Sequence, residues 1–279
     1  MWTILQIELF KIFRRPRTYI AFVAISAIVL LIQLALYVDG NSYLNFVIQG
    51  LTQNFEVNGT ILNGYFVCYF ILQTLLIHVP LLIALVAGDM IAGEANMGTL
   101  RILITKPVSR TRLMFCKFLA ALIYTLLLLV WMALLSLFCS LLIFGKGDLL
   151  ILKSDNAVIL SSTDIMWRYA AAFAFAAIAM SAVAALAFLL SIFAENSIGP
   201  IVATMSIVIV FTILSTMDIP FFKNIRPYLF TAHMLGWKGF FSDPVNYKMI
   251  GKSAAILMLH IVVFVGSAMA IFRRKDILS

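Results

Sequence analysis

Side chains able to do chemistry are scarce in the apolar part of this chain and crowded in one short stretch outside it. His78 and His260, with Gln33 and Gln73, are the clear polar candidates inside long apolar runs. Ion-coupled pumps carry buried Asp, Glu, Lys or Arg along their pathway, so proton or sodium coupling within this chain is not expected. A lone histidine in a helix bundle is more often satisfied by a neighbouring carbonyl or hydroxyl than used as a relay, and both histidines are read that way. Enzyme constellations are missing too: no paired carboxylates face a common cavity by spacing, there is no HExxH, and Ser161–Ser162 has no recognisable base nearby. Gly251-Lys252-Ser253 matches the end of a phosphate-binding loop, but the leading glycine would fall at position 246, which is Asn246. Cys68, Cys116 and Cys139 lie in or beside apolar runs without paired ligand spacing and read as small apolar packers. No catalytic residue, metal or cofactor is therefore expected in the chain. By contrast Glu94–Arg110, EANMGTLRILITKPVSR, is polar and basic and lies between two long apolar runs, which is the composition of a docking surface for a cytoplasmic partner.

The elements that must position this stretch are membrane spans. The chain is 63% hydrophobic and only 11% charged over 279 residues, with a mean hydropathy of +1.07, whereas a soluble domain carries charge at roughly a quarter of its positions. Crossing a bilayer takes about 20 apolar residues as a helix. Six runs qualify: Tyr19–Val38, Tyr65–Val86, Leu119–Phe144, Tyr169–Phe193, Ile198–Met217 and Ala254–Phe272. Helices are expected throughout, because in lipid each backbone donor and acceptor must be satisfied within its own segment, and barrel-type alternation is absent. The expected fold is all-α, a single transmembrane domain over 1–279, with 1–17 at the interface, a six-span bundle over 19–272 and a tail at 273–279.

The net charge of +8 does not point to nucleic acid. The basic residues sit at the edges of apolar runs, where topology selection and anionic lipid account for them. With the N-terminus inside, inner segments hold twelve Lys and Arg against eight in outer ones, and the loop from Asp39 to Gly64 holds none. Both termini are therefore expected in the cytoplasm, in a multi-pass cell (inner) membrane protein. Met1–Arg17 carries its charges after its apolar part, the wrong order for a secretory signal, so the first span is expected to be retained. Before that span, Trp2, Leu5, Leu9, Ile12 and Phe13 share one helical face, which predicts an interfacial helix that Pro16 ends. Asp218–Ser253 is rich in aromatics and broken by Pro220, Pro227 and Pro244, which predicts short helices at the outer interface whose rings anchor in the membrane.

Within Gly88–Lys117, Gly93 and Gly98 let the chain bend out of the second span. Thr99 to Ile104 can form a short helix with Leu100, Leu103 and Ile104 on one side and Arg101 apart, stopped by Pro107. Such a helix can present an apolar ridge to a protein groove. The alternative is an interfacial re-entry loop that only satisfies charge topology.

The pattern E-x(3)-G-T-L-R-x-L-x-x-x-P-V-S-R, followed by Lys117 at the mouth of the next span, resembles the intracellular loop of type-2 ABC exporter permeases. The amphipathic N-terminus, six spans, short outer helices before the last span and the ending Ile271-Phe272-Arg273-Arg274-Lys275-Asp276-Ile277 resemble that family as well, so the likeness runs over essentially the full length. It is nearest to the stand-alone permeases of sodium-efflux, bacitracin-resistance and nitrous-oxide-reductase copper-maturation systems. The resemblance implies a coupling helix between spans two and three that inserts into a cleft of a separate ABC ATPase. It implies two ATPase copies holding Mg-ATP, a second permease copy or paralogue, and export through the dimer. Carried over by position, the coupling residues are Glu94, Gly98, Thr99, Leu100, Arg101, Leu103, Pro107 and Arg110. Glu94 and Arg101 become polar contacts to the partner, Leu100 and Leu103 apolar anchors, and Gly98 and Pro107 shape the helix. Glu195-Asn196, between spans four and five, reads as a simple polar turn. Competing readings are an ATP-independent transporter or channel, and a membrane scaffold or mechanical transmitter in an envelope complex.

Overall fold

The computed structural model describes residues 1–52, 61–100, 108–152, 157–217 and 219–275. Helix α1 (Trp2–Phe13) is followed at once by α2 (Pro16–Thr52), α3 (Gly64–Ala87) and the short α4 (Asp89–Asn96). Helix α5 (Arg110–Ala133) runs through a π-helical turn, Leu134–Cys139, into α6 (Ser140–Phe144). A two-stranded antiparallel hairpin, β1 (Leu149–Leu152) and β2 (Ala157–Leu160), precedes α7 (Ile165–Ser191) and α8 (Ile198–Thr216). Short turns, α9 (Pro220–Lys223) and α10 (Phe230–Met234) among them, lead to α11 (Tyr247–Arg274).

Five described helical stretches are long and apolar enough to cross a membrane: Pro16–Ser42, Arg110–Phe144, Ile165–Ser191, Ile198–Thr216 and Tyr247–Arg274. The sixth expected run is bent by 50° between Gly64–Leu76 and His78–Ala87 and counts as a span only if both halves are taken together. Its cause is Pro80, which lacks an N–H and whose ring crowds the carbonyl of residue 76. The chain is a mostly helical, polytopic membrane protein. Several helices begin well before the apolar runs do, since polar first turns such as Arg110–Lys117 and Tyr247–Ser253 are helical as well. Pro16 opens α2 as its first helical residue instead of only ending α1, a position where its missing N–H costs nothing.

The hairpin departs from an all-α expectation. Leu149 pairs with Leu160 and Ile151 with Val158, and Leu149, Ile151 and Leu160 are buried. Once the chain leaves the helix at Gly145 (φ +72°), two apolar four-residue stretches satisfy each other's backbone groups instead of forming a helix.

Helix α7 is the centre of the bundle and packs on α3, α5, α8 and α11. Seven of its alanines, Ala172, Ala176, Ala179, Ala182, Ala184, Ala185 and Ala187, are fully buried, and small side chains are what let neighbouring helices close in. At the far end from the N-terminus, Arg168 of α7 reaches the carbonyls of Phe240 and Ser242, both at 2.8 Å. There the aromatic segment forms short helical turns as expected, but Trp237 and Phe241 are fully buried against Tyr69 instead of anchoring in lipid. Phe221, Tyr228 and Tyr247 are the exposed rings.

Candidate functional site

The end of the bundle that carries the N-terminus gathers α1, the α3–α4 junction, the start of α5, the end of α7 and the end of α11. Helix α1 turns Leu5, Glu8 and Ile12 into the bundle, a stripe at helical spacing with a carboxylate in its middle. Trp2, read from periodicity as sharing one face with Leu5, Leu9, Ile12 and Phe13, is instead on the open side with Ile7 and Phe10. Glu8 is buried because Lys117, on the first turns of α5, has no exposed surface at all. The Lys117 ammonium donates to Glu8 Oε2 at 2.8 Å and to the Met90 carbonyl at 3.4 Å, and sits 2.7 Å from Glu94 Oε1. Lys11 closes the ring, 2.8 Å from Glu8 Oε1 and 2.8 Å from Glu94 Oε1.

Two carboxylates and two ammonium groups from α1, α4 and α5 thus compensate one another, all but the part-exposed Lys11 out of water, the condition under which buried charge is tolerated. Burial pushes the Glu94 carboxyl upward, but the Lys117 charge and hydrogen bonds from both lysines outweigh it and hold the group below its ordinary value. Burial likewise pulls Lys11 down, and its bonds to Glu8 and Glu94 overcome this and leave it raised. Beside the cluster, Asp89 at the start of α4 is gripped by Arg15 and, at 3.2 Å, by Arg17.

Helix α4 is fixed on its other side as well. Its free N-terminal amides at Ile91 and Ala92 donate to the buried Ser191 hydroxyl at the end of α7, at 3.0 and 3.1 Å. Gly93 packs against Asp89, where a Cβ would run into the carboxylate. Gly98, at φ +68°, turns the chain out of α4 in the left-handed conformation that glycine adopts freely at a helix end.

The structure describes five of the eight residues picked out by resemblance and places them apart. Glu94 faces inward and belongs to the ion cluster. Leu100 is buried in the core. Gly98 and Thr99 are exposed. Arg110 donates to the carbonyls of Lys275 at 2.9 Å and Arg273 at 3.4 Å, which pins the end of α11. Arg101, Leu103 and Pro107 lie outside the described residues, as does most of the helix expected over Thr99 to Ile104. Asn196 caps the start of α8 by accepting from the Gly199 amide at 2.9 Å. His78 and His260 each donate Nδ1–H to a carbonyl four residues back, Thr74 and Ile256, at 2.9 Å. Sequence reasoning missed Glu8, Lys11 and Lys117 as a unit. The available signal was a carboxylate set between Leu5 and Ile12 on one helical face, and a lysine between Cys116 and Phe118, both positions that demand a partner if buried.

A family model described as "Protein of unknown function (DUF2705)" matches residues 24–278. The chain belongs to the DUF2705 family. This DUF2705 protein is also 24% identical over 198 residues to the uncharacterized protein YhcI of Bacillus subtilis (strain 168), a match covering 69% of the chain. It spans 63% of that relative's length.

Proposed function

We propose that this DUF2705 protein is the permease subunit of an ABC exporter: a membrane subunit of the cell (inner) membrane with both termini in the cytoplasm. It forms the translocation pathway as a dimer and is driven by two copies of a separate cytoplasmic ATPase. The observation that carries the reading is the buried Glu8–Lys11–Glu94–Lys117 cluster, which ties α1, α4 and α5 into one unit at the root of the polar stretch 96–110. An ATPase pressing on that stretch would push on a braced α4, and α4 leans on the central α7 through Ser191. Force would then reach the spans without being lost in a soft hinge. The chain's own part is transmission and pathway formation; ATP chemistry belongs to the partner.

The test is a mild-detergent pull-down of the tagged chain from its native cells with mass spectrometry of what accompanies it. A stoichiometric ABC ATPase is expected, and Leu103→Asp, which puts a charge on the proposed ridge, should remove it while leaving membrane insertion intact. Recovery of the chain alone, stable and without an ATPase, would overturn the reading in favour of an ATP-independent membrane protein.

A further inference from the structure

Next to the ion cluster lies a small cavity of about 20 Å³, lined by Glu8, Lys11, Arg15, Arg17, Asp89 and Glu94 together with apolar residues of α1 and α3. That is room for a group the size of one water molecule. It lies between the end of α1, the start of α2 and the α3–α4 junction, where candidate spans begin and end. Its charges are layered. The cationic side chains are the accessible ones, with Arg17 54%, Lys11 34% and Arg15 32% exposed. The carboxylates lie deeper, with Asp89 8%, Glu94 6% and Glu8 3% exposed. Glu94 gives both its lysine contacts through Oε1, and its buried Oε2 has no hydrogen-bond partner. Tyr19 and Ile20, which follow the lining residues Arg17 and Thr18 on α2, are exposed apolar side chains suited to contact with acyl chains.

We propose that this cavity binds the headgroup of an aminophospholipid with a primary ammonium, its phosphodiester on Arg17 and Lys11 and its ammonium on the inner carboxylates. The order of charge in such a lipid matches the order in the cavity: phosphate nearer the acyl chains and outermost, ammonium at the far end and innermost. An –NH3⁺ group is about the size of water and brings the donors a carboxylate oxygen lacks. A trimethylated choline is larger and donates nothing, and a lipid with phosphate alone leaves the carboxylates unserved. The assignment needs only a membrane-embedded chain and stands apart from the ATPase reading.

The experiment is native mass spectrometry of the purified full chain incubated with phosphatidylethanolamine or phosphatidylcholine of the same acyl chains, with soluble glycerophosphoethanolamine as a competitor. Retention of phosphatidylethanolamine about tenfold above phosphatidylcholine is expected, the worth of one charge-assisted hydrogen bond. Arg17→Ala, at a half-exposed position whose loss spares the buried cluster, should lower phosphatidylethanolamine retention toward the phosphatidylcholine level. Glu94→Gln should abolish the preference if it folds. Equal retention of the two lipids by the native chain, or a preference untouched by Arg17→Ala, would overturn the proposal. Complete displacement by the soluble headgroup would overturn its assignment to a lipid.

Discussion

Replacing Lys117 by Met keeps the length of the side chain and removes an ammonium with no access to water. The native group donates to Glu8 and Glu94 at 2.8 and 2.7 Å and approaches the Met90 carbonyl at 3.4 Å. In Lys117→Met, two buried carboxylates share Lys11 alone, which is itself part-exposed. Removing one partner of a buried ion pair costs about 3–5 kcal/mol, because it strands the other charge. Protonation of one carboxylate limits that cost, so the lower half, about 3 kcal/mol, is the better expectation near neutral pH. At roughly 2–4 °C per kcal/mol for larger chains, the midpoint of thermal unfolding should fall by about 6–12 °C. Tryptophan fluorescence of the detergent-purified protein reads this, and the deficit should shrink at acid pH, where the stranded carboxylates neutralise. The decisive comparison is Lys117→Met with Glu94→Gln in one chain: deleting both charges should recover at least half the loss, since a neutral pair leaves little stranded. A single variant within about 2 °C of the native midpoint, or a double variant whose losses simply add, would refute the argument that these charges hold one another.

Glu94 has a depressed folded-state value, so its contribution is full above the ordinary carboxylate value of 4.5 and is lost as pH falls through the folded value; Glu94→Gln should flatten the acid limb of a pH–stability curve. Lys11 is raised above its ordinary 10.5, so its contribution holds below that value and is lost as pH rises through the folded one, and Lys11→Met should flatten only the alkaline limb. Ser191→Ala strands two buried amides of α4 and should cost about 1–3 kcal/mol by thermal unfolding. Gly64→Ala sets a Cβ 2.7 Å from the Leu141 Cα and the Ser140 carbonyl, backbone that cannot step aside, so expression of folded protein should drop sharply in detergent size-exclusion.

Apolar length made the bundle legible: five of the six expected runs are helices long and apolar enough to span, and the other is the helix that Pro80 bends. Where helices begin was not legible, because hydropathy marks the lipid-facing length and says nothing of polar turns such as Arg110–Lys117 that continue the same backbone ladder. The hairpin was hidden for a related reason. Leu149–Leu152 and Ala157–Leu160 are too short to show a period, and a short apolar stretch fits a buried strand as well as a helix. Trp237 and Phe241 read as interface anchors from composition, yet pack inside, since an aromatic ring is at home in either place and only the path of the chain decides.

The polar stretch was visible as a dense block, but the roles inside it depended on rotation about α4 that no linear pattern reports. The resemblance makes Glu94 a polar contact to the partner, and in the structure its side chain points inward, with α4 seated on α7 and α1 laid across it. That reversal bears on what the cluster does. A well-packed apolar group in its place would often be as stable or more so, so the ion ring is weak evidence of a need for stability. What charge offers in exchange is direction: each ammonium accepts only a position between carboxylates, and Glu8, Glu94 and Lys117 come from three separate helices. A slip of α1 or α4 by one residue would leave a bare charge in the protein interior, whereas an apolar contact would slide at little cost. The cluster therefore fixes register among α1, α4 and α5 at the point where the exposed residues 96–99 leave the bundle, and the larger loss expected of Lys117→Met against the milder loss of the double variant, which keeps only the Glu8–Lys11 pair charged, separates a registering role from a merely cohesive one.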